Sequence, residues 1–145
     1  MATNKIITGY TTGIFDLFHM GHLNILKQSK SMCDRLIVGV STDELARSLK
    51  GKSPIIPFYD RLEIVKSIRY VDFAVPEIVN NKISAWEKLK FDIIFKGDDW
   101  KGTERWLILE NQFEKLGVKI HFFHYTQNIS STIIREMLNE LPKDY

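Results

Sequence analysis

Short runs of apolar residues recur along the chain and predict five β-strands. The runs lie at residues 6–10, 35–40, 73–75, 91–95 and 118–123. Hydrophobicity within each run is continuous rather than alternating, which is typical of parallel strands that are covered on both faces. The pattern therefore predicts a parallel sheet with helices on both of its sides.

Segments with helical periodicity separate the apolar runs. One helix is predicted from residue 21 to about residue 32, directly after the first strand. A second is predicted from Asp60 to about Arg69, because Asp60 stands three residues before Glu63, as in a capping box.

Two further helices are predicted in the last third of the chain. In the first of them, apolar residues recur at helical spacing from Thr103, and Gly117 is expected to end the helix. The last helix is predicted to begin near Ser130. Its apolar residues fall on one face, namely Ile133, Ile134, Met137, Leu138 and Leu141.

The alternation of strands and helices predicts an α/β fold, with one domain over residues 1–145 and a doubly wound, Rossmann-like, five-stranded parallel sheet. In such sheets ligands bind at the carboxyl ends of the strands, near the point where the strand order reverses. The segment 49–57 is the longest stretch without a predicted element. We therefore interpret it as a lid over that edge.

Composition narrows the classes of protein that fit this fold. Hydrophobic residues make up 44% of the 145 residues and charged residues 26%, which is typical of a globular domain. The formal net charge is +2 and charges of both signs are interspersed, which argues against a nucleic-acid-binding surface. Cys33 is the only cysteine, so the chain forms no internal disulfide. No apolar run approaches 18 residues, so we expect no membrane insertion and a reducing, cytoplasmic setting.

Two histidines follow the first predicted strand at the start of a helix. His19 and His22 are three residues apart, with Gly21 between them. The free N–H groups of a helix N-terminus attract anions, and glycine lets a ligand approach the backbone. The pattern fits a phosphate site, and equally a pair of surface or core histidines.

His121 and His124 have the same spacing but lie in an apparent strand. Residues three apart in a strand face opposite sides of the sheet, which argues against a zinc site that contains both rings. We expect both to have packing roles.

Further candidates for phosphate contacts lie in the last helix and in the predicted lid. Ser130, Ser131 and Thr132 offer hydroxyls at a helix start that has no carboxylate in its first turn, although plain N-capping would explain one of them. Lys50 and Lys52 would neutralise a triphosphate or else form part of a solvated loop. The segment 51–53 does not belong to a Walker A loop, because Ala46 takes the place of the first glycine, and no G-x-G-x-x-G follows the first strand.

Four segments together resemble the cytidylyltransferase family. Residues 13–22 resemble its HxGH signature, and residues 69–72 resemble its RYVD segment. Residues 97–100 read GDDW, as in bacterial glycerol-3-phosphate cytidylyltransferases, and residues 126–132 resemble the TEGISTT run. HxGH alone is shared with adenylyl-transferring relatives, so the other three segments carry the resemblance.

The resemblance implies a set of binding residues. His19 and His22 would be catalytic and would contact the α- and β-phosphate oxygens. Asp16, Lys50 and Lys82 would face the acceptor, and Mg²⁺ would be carried mainly by the triphosphate, with no side-chain ligand. The remaining CTP-binding residues would be Ile14, Phe15, Met20, Gly21, Lys52, Arg69, Asp99, Tyr125, Thr126, Ile129, Ser130, Ser131 and Thr132.

Structural alternatives exist for some of these residues. Arg69 and Asp72 would instead form an ion pair, and Trp100 would pack under the lid. Two departures also stand out, because Tyr125 occupies the place of the arginine in the family's RTEGISTT motif and Asn128 the place of its glycine. Loss of the guanidinium removes a triphosphate contact, so we expect another cation to compensate or the acceptor to be unusual.

The resemblance implies transfer of CMP from CTP to a small phosphorylated alcohol with release of pyrophosphate, in a homodimeric enzyme. Glycerol 3-phosphate, giving CDP-glycerol, is the first choice of acceptor, ahead of phosphocholine and phosphoethanolamine. Two alternatives stay open. One is adenylyl transfer from ATP to a sugar phosphate or flavin precursor, and the other is a nucleotide-binding module without catalysis.

Overall fold

Five parallel strands form a single sheet in the computed structural model, which describes residues 5–124 and 131–140 apart from the side chains of Asp99 and Ser131. The strand order is β3-β2-β1-β4-β5, which confirms the predicted doubly wound sheet. The chain leaves the central β1 towards β2 and β3, then returns to the other side of β1 with β4. The strands are β1 Thr8–Gly13, β2 Arg35–Ser41, β3 Phe73–Glu77, β4 Ile93–Gly97 and β5 Lys119–Phe123.

Six α-helices flank the sheet within the described ranges, and the segment Asp98–Trp100 forms a short 3-10 turn. The helices are α1 Met20–Ser31, α2 Asp43–Lys50, α3 Phe58–Lys66, α4 Lys82–Leu89, α5 Glu104–Leu116 and α6 Ser131–Asn139.

Two apolar clusters cover the two faces of the sheet. Leu36, Val38 and Val40 of β2 pack on one side with residues of α1 and α3, such as Leu26 and Val65. Ile37 points to the other side, where α4 and α5 supply the packing residues. Alternate residues of one strand thus enter opposite clusters, which explains why the apolar runs are continuous.

Four strands extend further towards their carboxyl ends than their apolar runs predict, and β2 does so by one residue, to Ser41. β1 ends at Gly13 and β4 at Gly97, whereas the runs end at residues 10 and 95. Polar residues near these ends still have partners in the sheet. For example, the Thr11 hydroxyl of β1 donates to the Phe95 carbonyl of β4 at 3.3 Å. β3 continues through Pro76 to Glu77, which is possible because β3 lies at the edge of the sheet and no further strand needs the missing N–H.

The predicted capping box at Asp60 is wrong. α3 begins at Phe58 with Pro57 at the cap position and no side-chain hydrogen bond, so Asp60 lies within the first turn. Proline there is already in a helical range of φ and needs no donor. The helix ends at Lys66 rather than near residue 69, where Ser67 turns its hydroxyl onto the Glu63 carbonyl at 2.8 Å.

The predicted lid is shorter than expected, because residues 49 and 50 belong to α2. Thr42 caps α2 by accepting the Leu45 N–H at 3.2 Å, and Gly51 ends it with φ of 77°. The pattern missed this helix because it buries only Leu45 and Ala46. The alternation of strands and helices also implied a helix between β3 and β4, but the apolar pattern did not show where α4 begins and ends.

The apolar face of α6 is largely exposed, since Ile133 is 39%, Leu138 47% and Met137 63% accessible. Gly117 ends α5 with φ of 75°, as predicted. In the described ranges, no helix combines the length and apolar character that a membrane crossing requires.

Candidate active site

A cavity of about 500 Å³ opens at the carboxyl ends of β1, β2, β3 and β4. Thr12, Ser41, Glu77 and Lys96 reach it from the ends of these four strands. It therefore lies on the switch point between β1 and β4, where a doubly wound sheet is expected to bind ligands.

A sharp turn after β1 brings the predicted signature into this cavity. Phe15 and Leu17 have φ of 56° and 48°, in the left-handed region that non-glycine residues seldom adopt. Arg61 of α3 holds the turn, because its fully buried guanidinium donates to the Ile14 carbonyl at 2.6 Å and to the Ser41 carbonyl at 2.8 Å. Arg61 Nε also donates to the Ile56 carbonyl at 2.8 Å, and the guanidinium forms an ion pair with Asp43 at 2.7 Å. The strained turn is thus stabilised by a buried charge from another helix.

His19 and His22 lie together at the start of α1. The His19 Nδ1 accepts the Gly21 N–H at 3.0 Å, and the His22 Nδ1 accepts the His19 N–H at 3.3 Å. The two rings are stacked with their centroids 3.9 Å apart. Since each Nδ1 acts as an acceptor, each neutral ring carries its proton on Nε2. Both rings line the cavity, so the Nε2–H groups are its available imidazole donors.

Both imidazoles are neutral at pH 7. Burial, with a contribution from neighbouring His19, lowers the pKa of His22 to about 4, although the Asp16 carboxylate opposes the shift. Burial also lowers the pKa of His19. The pair therefore offers hydrogen-bond donors without a positive charge of its own.

Asp16 ties three segments together beneath the cavity. Its carboxylate accepts the N–H groups of Ile55 and Ile56, both at 2.9 Å, and the Arg135 guanidinium at 2.7 Å. Burial would raise the pKa of Asp16, but these hydrogen bonds and the Arg135 charge outweigh it and hold the pKa below its ordinary value. Asp16 was predicted to face the acceptor. In the structure it holds the 51–57 loop and α6 against the turn that follows β1.

Cationic side chains surround the cavity. Lys82, predicted to face the acceptor, is 5% exposed and donates from Nζ to the Thr12 hydroxyl at 2.8 Å and to Glu77 at 2.5 Å. Lys96 lies 5.1 Å from the ring centroid of Trp100, so the GDDW tryptophan forms part of the cavity wall. The cations that line the cavity are Lys50, Lys52, Lys82, Lys96, Arg105 and Arg135.

Most of the predicted site residues that the structure describes meet in this one cavity. Met20 does not, because its side chain is 52% exposed on α1 and lies outside the cavity lining. Tyr125, Thr126, Ile129 and Ser130 fall outside the described residues, as do the side chains of Asp99 and Ser131. The predicted residues that line it are Ile14, Phe15, Asp16, His19, Gly21, His22, Lys50, Lys52, Lys82 and Thr132.

Arg69 lies away from the cavity. It precedes β3, and the amino ends of parallel strands lie at the opposite edge of the sheet from the histidines. Its guanidinium is exposed and donates to the Tyr70 hydroxyl at 2.9 Å. The alternative prediction, an ion pair between Arg69 and Asp72, is wrong, because Asp72 forms an ion pair with Lys30 at 2.6 Å instead.

His121 and His124 differ from each other. His121 lies in the middle of β5 and packs with its ring centroid 4.6 Å from that of Phe123. His124 is 96% exposed and lies beside Asp98, so a packing role for it was wrong. The strand ends before His124 and leaves it over the 3-10 turn.

The sequence did not point to several residues of the site, namely Glu77, Arg105 and Arg135 in the cavity lining and Arg61 behind the turn after β1. A signal existed for two of them. Glu77 ends a strand at the ligand edge, and Arg135 stands three residues after Thr132 on the same helix. Arg61 had no such signal, because its main-chain partners lie up to 47 residues away.

The sequence profile described as Cytidylyltransferase-like matches residues 10–137. Among curated proteins, the FAD synthase of Pyrococcus abyssi is 37% identical over 83% of this chain and 80% of its own length. The glycerol-3-phosphate cytidylyltransferase of Staphylococcus aureus is 35% identical over 88% of this chain and 92% of its own length. The bifunctional protein HldE of Helicobacter pylori is 33% identical over 97% of this chain, which matches only 29% of that protein.

A solved structure supports the same fold. A lipopolysaccharide core biosynthesis protein from Thermoplasma volcanium superposes with a TM-score of 0.71 at 32% identity. The match covers 86% of this chain and all of that one.

Proposed function

The chain belongs to the cytidylyltransferase-like family and is a nucleotidyltransferase, and from that premise we propose that it transfers CMP from CTP to a small phosphorylated alcohol. Glycerol 3-phosphate is the first choice of acceptor, and the products would be CDP-glycerol and pyrophosphate. The observation that carries the proposal is the pair of neutral imidazoles, with both Nε2–H groups in a cavity lined by cations.

In the proposed reaction, a phosphate oxygen of the acceptor attacks the α-phosphorus of CTP. The new P–O bond forms as the bond to the β-phosphate bridging oxygen breaks, and pyrophosphate leaves with the electron pair. A phosphomonoester has a second pKa near 6, so it is mostly dianionic at neutral pH and needs no general base. Catalysis then depends on positioning and on stabilisation of charge.

The histidines supply that stabilisation. Charge grows on the α- and β-phosphate oxygens as the transition state forms, and the Nε2–H groups of His19 and His22 donate to them. The backbone hydrogen bonds to each Nδ1 hold the rings in place before the reaction. Donors fixed in advance need no reorganisation during the reaction, so they favour the transition state over the ground state.

Different lysines would bind the two anionic substrates. Lys52 lies in the loop after α2 and would contact the triphosphate, whereas Lys50 at the end of α2 and Lys82 at the start of α4 would contact the acceptor phosphate. Two anions that react with each other repel, and cations from separate elements offset that repulsion.

We propose that Mg²⁺ enters with the triphosphate. In the described part of the chain, no group of three or more His, Cys, Asp and Glu side chains is arranged to hold a metal ion. Asp16, a buried carboxylate beside the histidines, is already engaged by two N–H groups and a guanidinium. The oxygens of the triphosphate would therefore provide most of the ligands.

Adenylyl transfer from ATP to a flavin precursor or sugar phosphate is the second candidate. The similarity to the FAD synthase of Pyrococcus abyssi favours it, since that protein is about as similar to this chain as the Staphylococcus aureus enzyme is. The GDDW segment at residues 97–100, with Trp100 in the cavity wall, favours the cytidylyl assignment.

Release of pyrophosphate tests the proposal. The protein is incubated with Mg²⁺, one of the four nucleoside triphosphates, and glycerol 3-phosphate, phosphocholine, phosphoethanolamine, FMN or a sugar 1-phosphate. We expect release to require CTP and to be fastest with glycerol 3-phosphate. Release with ATP and FMN or a sugar phosphate, but none with CTP, would assign the protein to the adenylyl group.

We also infer a homodimer from the family resemblance. Edge strand β3 begins with Phe73, which is 55% exposed and would be available for such a contact. Sedimentation equilibrium should give twice the chain mass of 16.9 kDa, and a single-chain mass would contradict the inference.

A further inference from the structure

Glu77 and Lys82 form a buried ion pair in the wall of the active-site cavity. Their side chains are only 7% and 5% exposed, with the carboxylate 2.5 Å from Nζ. Glu77 ends β3 and Lys82 begins α4, so the pair spans the loop that joins the two elements. Both residues line the cavity.

Each polar atom of the pair has a defined partner. The second carboxylate oxygen of Glu77 accepts the Ser41 hydroxyl at 3.1 Å, and Lys82 Nζ donates to the Thr12 hydroxyl at 2.8 Å. An ammonium group has three donors. Among the residues that the structure describes, Glu77 and Thr12 accept from two of the Lys82 donors, which leaves the third for a ligand in the cavity.

Stability alone does not account for this pair. Removing two charges from water costs several kcal/mol per ion, and a well-packed apolar pair is often at least as stable. A charged amine at a cavity that receives phosphates, in contrast, has a use. Glu77 itself is a poor ligand for such substrates, because its charge repels phosphate and its two oxygens are occupied.

The charged groups around Lys82 act in opposite directions. Burial lowers the pKa of Lys82, and Arg105 on α5 lowers it further, whereas the charge and hydrogen bond of Glu77 raise it. From β1, Thr12 contributes an uncharged hydroxyl. Tyr10 on the same strand is neutral, because burial and the Glu77 charge raise its pKa. Glu77 is thus the group that favours the charged form of Lys82.

We propose that Glu77 is a positioning residue, which keeps the Lys82 ammonium charged and directs its third N–H to the phosphate of the acceptor. The assignment rests on the proposed function, in which Lys82 contacts the acceptor. It adds a residue that acts through Lys82 and never touches either substrate.

Glu77→Gln is the informative variant because it preserves the shape of the side chain. The amide oxygen still accepts from Ser41, but the amide N–H groups now face Lys82. Two donors repel each other, so Lys82 makes a hydrogen bond there only as a neutral amine. At pH 8 we expect the KM for the acceptor to rise roughly 10- to 100-fold, as for the loss of one hydrogen bond to a charged group. The kcat and the KM for CTP should change by less than about threefold, because a contact made equally in ground and transition states affects KM alone.

The pH profile separates this role from a merely structural one. Loss of the Glu77 charge lowers the pKa of Lys82 further, so the amine of Glu77→Gln loses its proton at a lower pH than that of the wild type. The acceptor KM of the variant should therefore recover as the pH falls, while that of the wild type stays flat. Glu77→Asp retains the charge and should restore most of the affinity at pH 8.

A direct measurement of the Lys82 charge does not depend on the acceptor. The side-chain ¹⁵Nζ and ¹³Cε resonances of Lys82 report its protonation during a titration by NMR. We expect the titration step of Lys82 to lie at a lower pH in Glu77→Gln than in the wild type. Glu87→Gln is the matched control, because it removes an exposed carboxylate from α4 itself and should leave the resonances and kinetics unchanged.

Several results would overturn the assignment. One is a Glu77→Gln enzyme with a normal acceptor KM, and another is a Lys82 that stays charged in that variant. A pH-independent loss of kcat with a lowered melting temperature would reduce Glu77 to a structural role. If the wild type used no phosphorylated acceptor at all, the proposed function would fail. The NMR titration, with the affinity for inorganic phosphate, would then still decide whether Glu77 controls the charge of Lys82.

Discussion

His22 combines three properties that bear on catalysis. It is neutral, its Nδ1 is occupied by the His19 N–H, and its ring contacts those of Phe15, Phe18 and His19. Only Nε2 remains to contact a substrate. The residue is therefore held as a donor of one hydrogen bond in one direction.

We expect His22→Ala to lower kcat by about 10²–10³, the effect of losing one donor aimed at the transition state. Affinity for CTP should fall much less, because the contact strengthens only as charge develops. His22→Asn is a useful companion, since its amide oxygen can replace Nδ1 as acceptor for the His19 N–H. Steady-state kinetics and CTP titrations measure both effects. A His22→Ala enzyme with a near-normal kcat would refute the proposed mechanism.

The low pKa of His22 predicts a pH dependence of stability. The unfolded chain binds a proton at this residue near pH 6.5, whereas the folded protein does so only near pH 4. Between these values the unfolded state binds more protons, so the free energy of unfolding falls as the pH is lowered. The full difference corresponds to about 3 kcal/mol, and residual exposure of the ring makes this an upper bound.

Urea denaturation of wild type and His22→Asn at pH 7, 6, 5 and 4 isolates this contribution. The wild type should lose more stability than the variant over that range, because only the wild type takes up a proton at this residue on unfolding. Parallel curves from pH 7 downwards would show that His22 is not held neutral by burial.

At the scale of elements, Asp16 joins the signature turn to the 51–57 loop and to α6. The sequence predicts a lid at residues 49–57, and in the structure the Ile55 and Ile56 N–H groups of this segment donate to the buried Asp16 carboxylate. The position of Lys52 therefore depends on Asp16.

We expect Asp16→Asn to loosen the 51–57 loop. The amide retains one acceptor but turns a donor towards the Ile55 and Ile56 N–H groups or the Arg135 guanidinium, at a cost of about 1–3 kcal/mol. Trypsin should then cleave faster after Lys50 and Lys52, and CTP should bind more weakly. Asp60→Asn is the control, since Asp60 is an exposed carboxylate that caps no helix. Equal cleavage rates in the three proteins would mean that Asp16 does not hold the loop.

At the scale of the whole molecule, ligand binding and folding are linked. The cavity draws residues from all four strands of its rim and from five helices, so a nucleotide that binds there stabilises the entire domain. The melting temperature consequently reports which nucleotide the fold prefers.

With Mg²⁺ present, CTP should raise the melting temperature more than ATP, GTP or UTP at the same concentration. Saturation to about 100 times the Kd would add roughly 2.7 kcal/mol of stability. The same scans with His22→Asn, which keeps the ring's acceptor role, should show a similar shift, because His22 acts mainly in the transition state. A larger shift with ATP would favour the adenylyl alternative.

Local pattern was enough to predict the sheet and the edge of the sheet at which the 13–22 segment lies. Continuous apolar runs between helical segments indicate parallel strands, and parallel strands place the end of β1 at the ligand edge. The sequence therefore places the 13–22 segment at the ligand edge of the sheet, where the structure has it line the cavity. Strand ends were less predictable, because Thr11, Thr12 and Glu77 are polar residues that only lateral pairing keeps in the strands.

Tertiary structure alone decided how the site is held together. Arg61 meets the Ile14 carbonyl 47 residues away, Lys82 meets Thr12 across 70 residues, and Asp16 meets Arg135 across 119. No local periodicity records such contacts. The same applies to protonation, because sequence specifies which groups titrate while burial determines their pKa. The neutral His22 and the paired Lys82 follow from the surroundings that the fold creates, and Arg69 lies apart from the site because the fold places its segment at the other edge of the sheet.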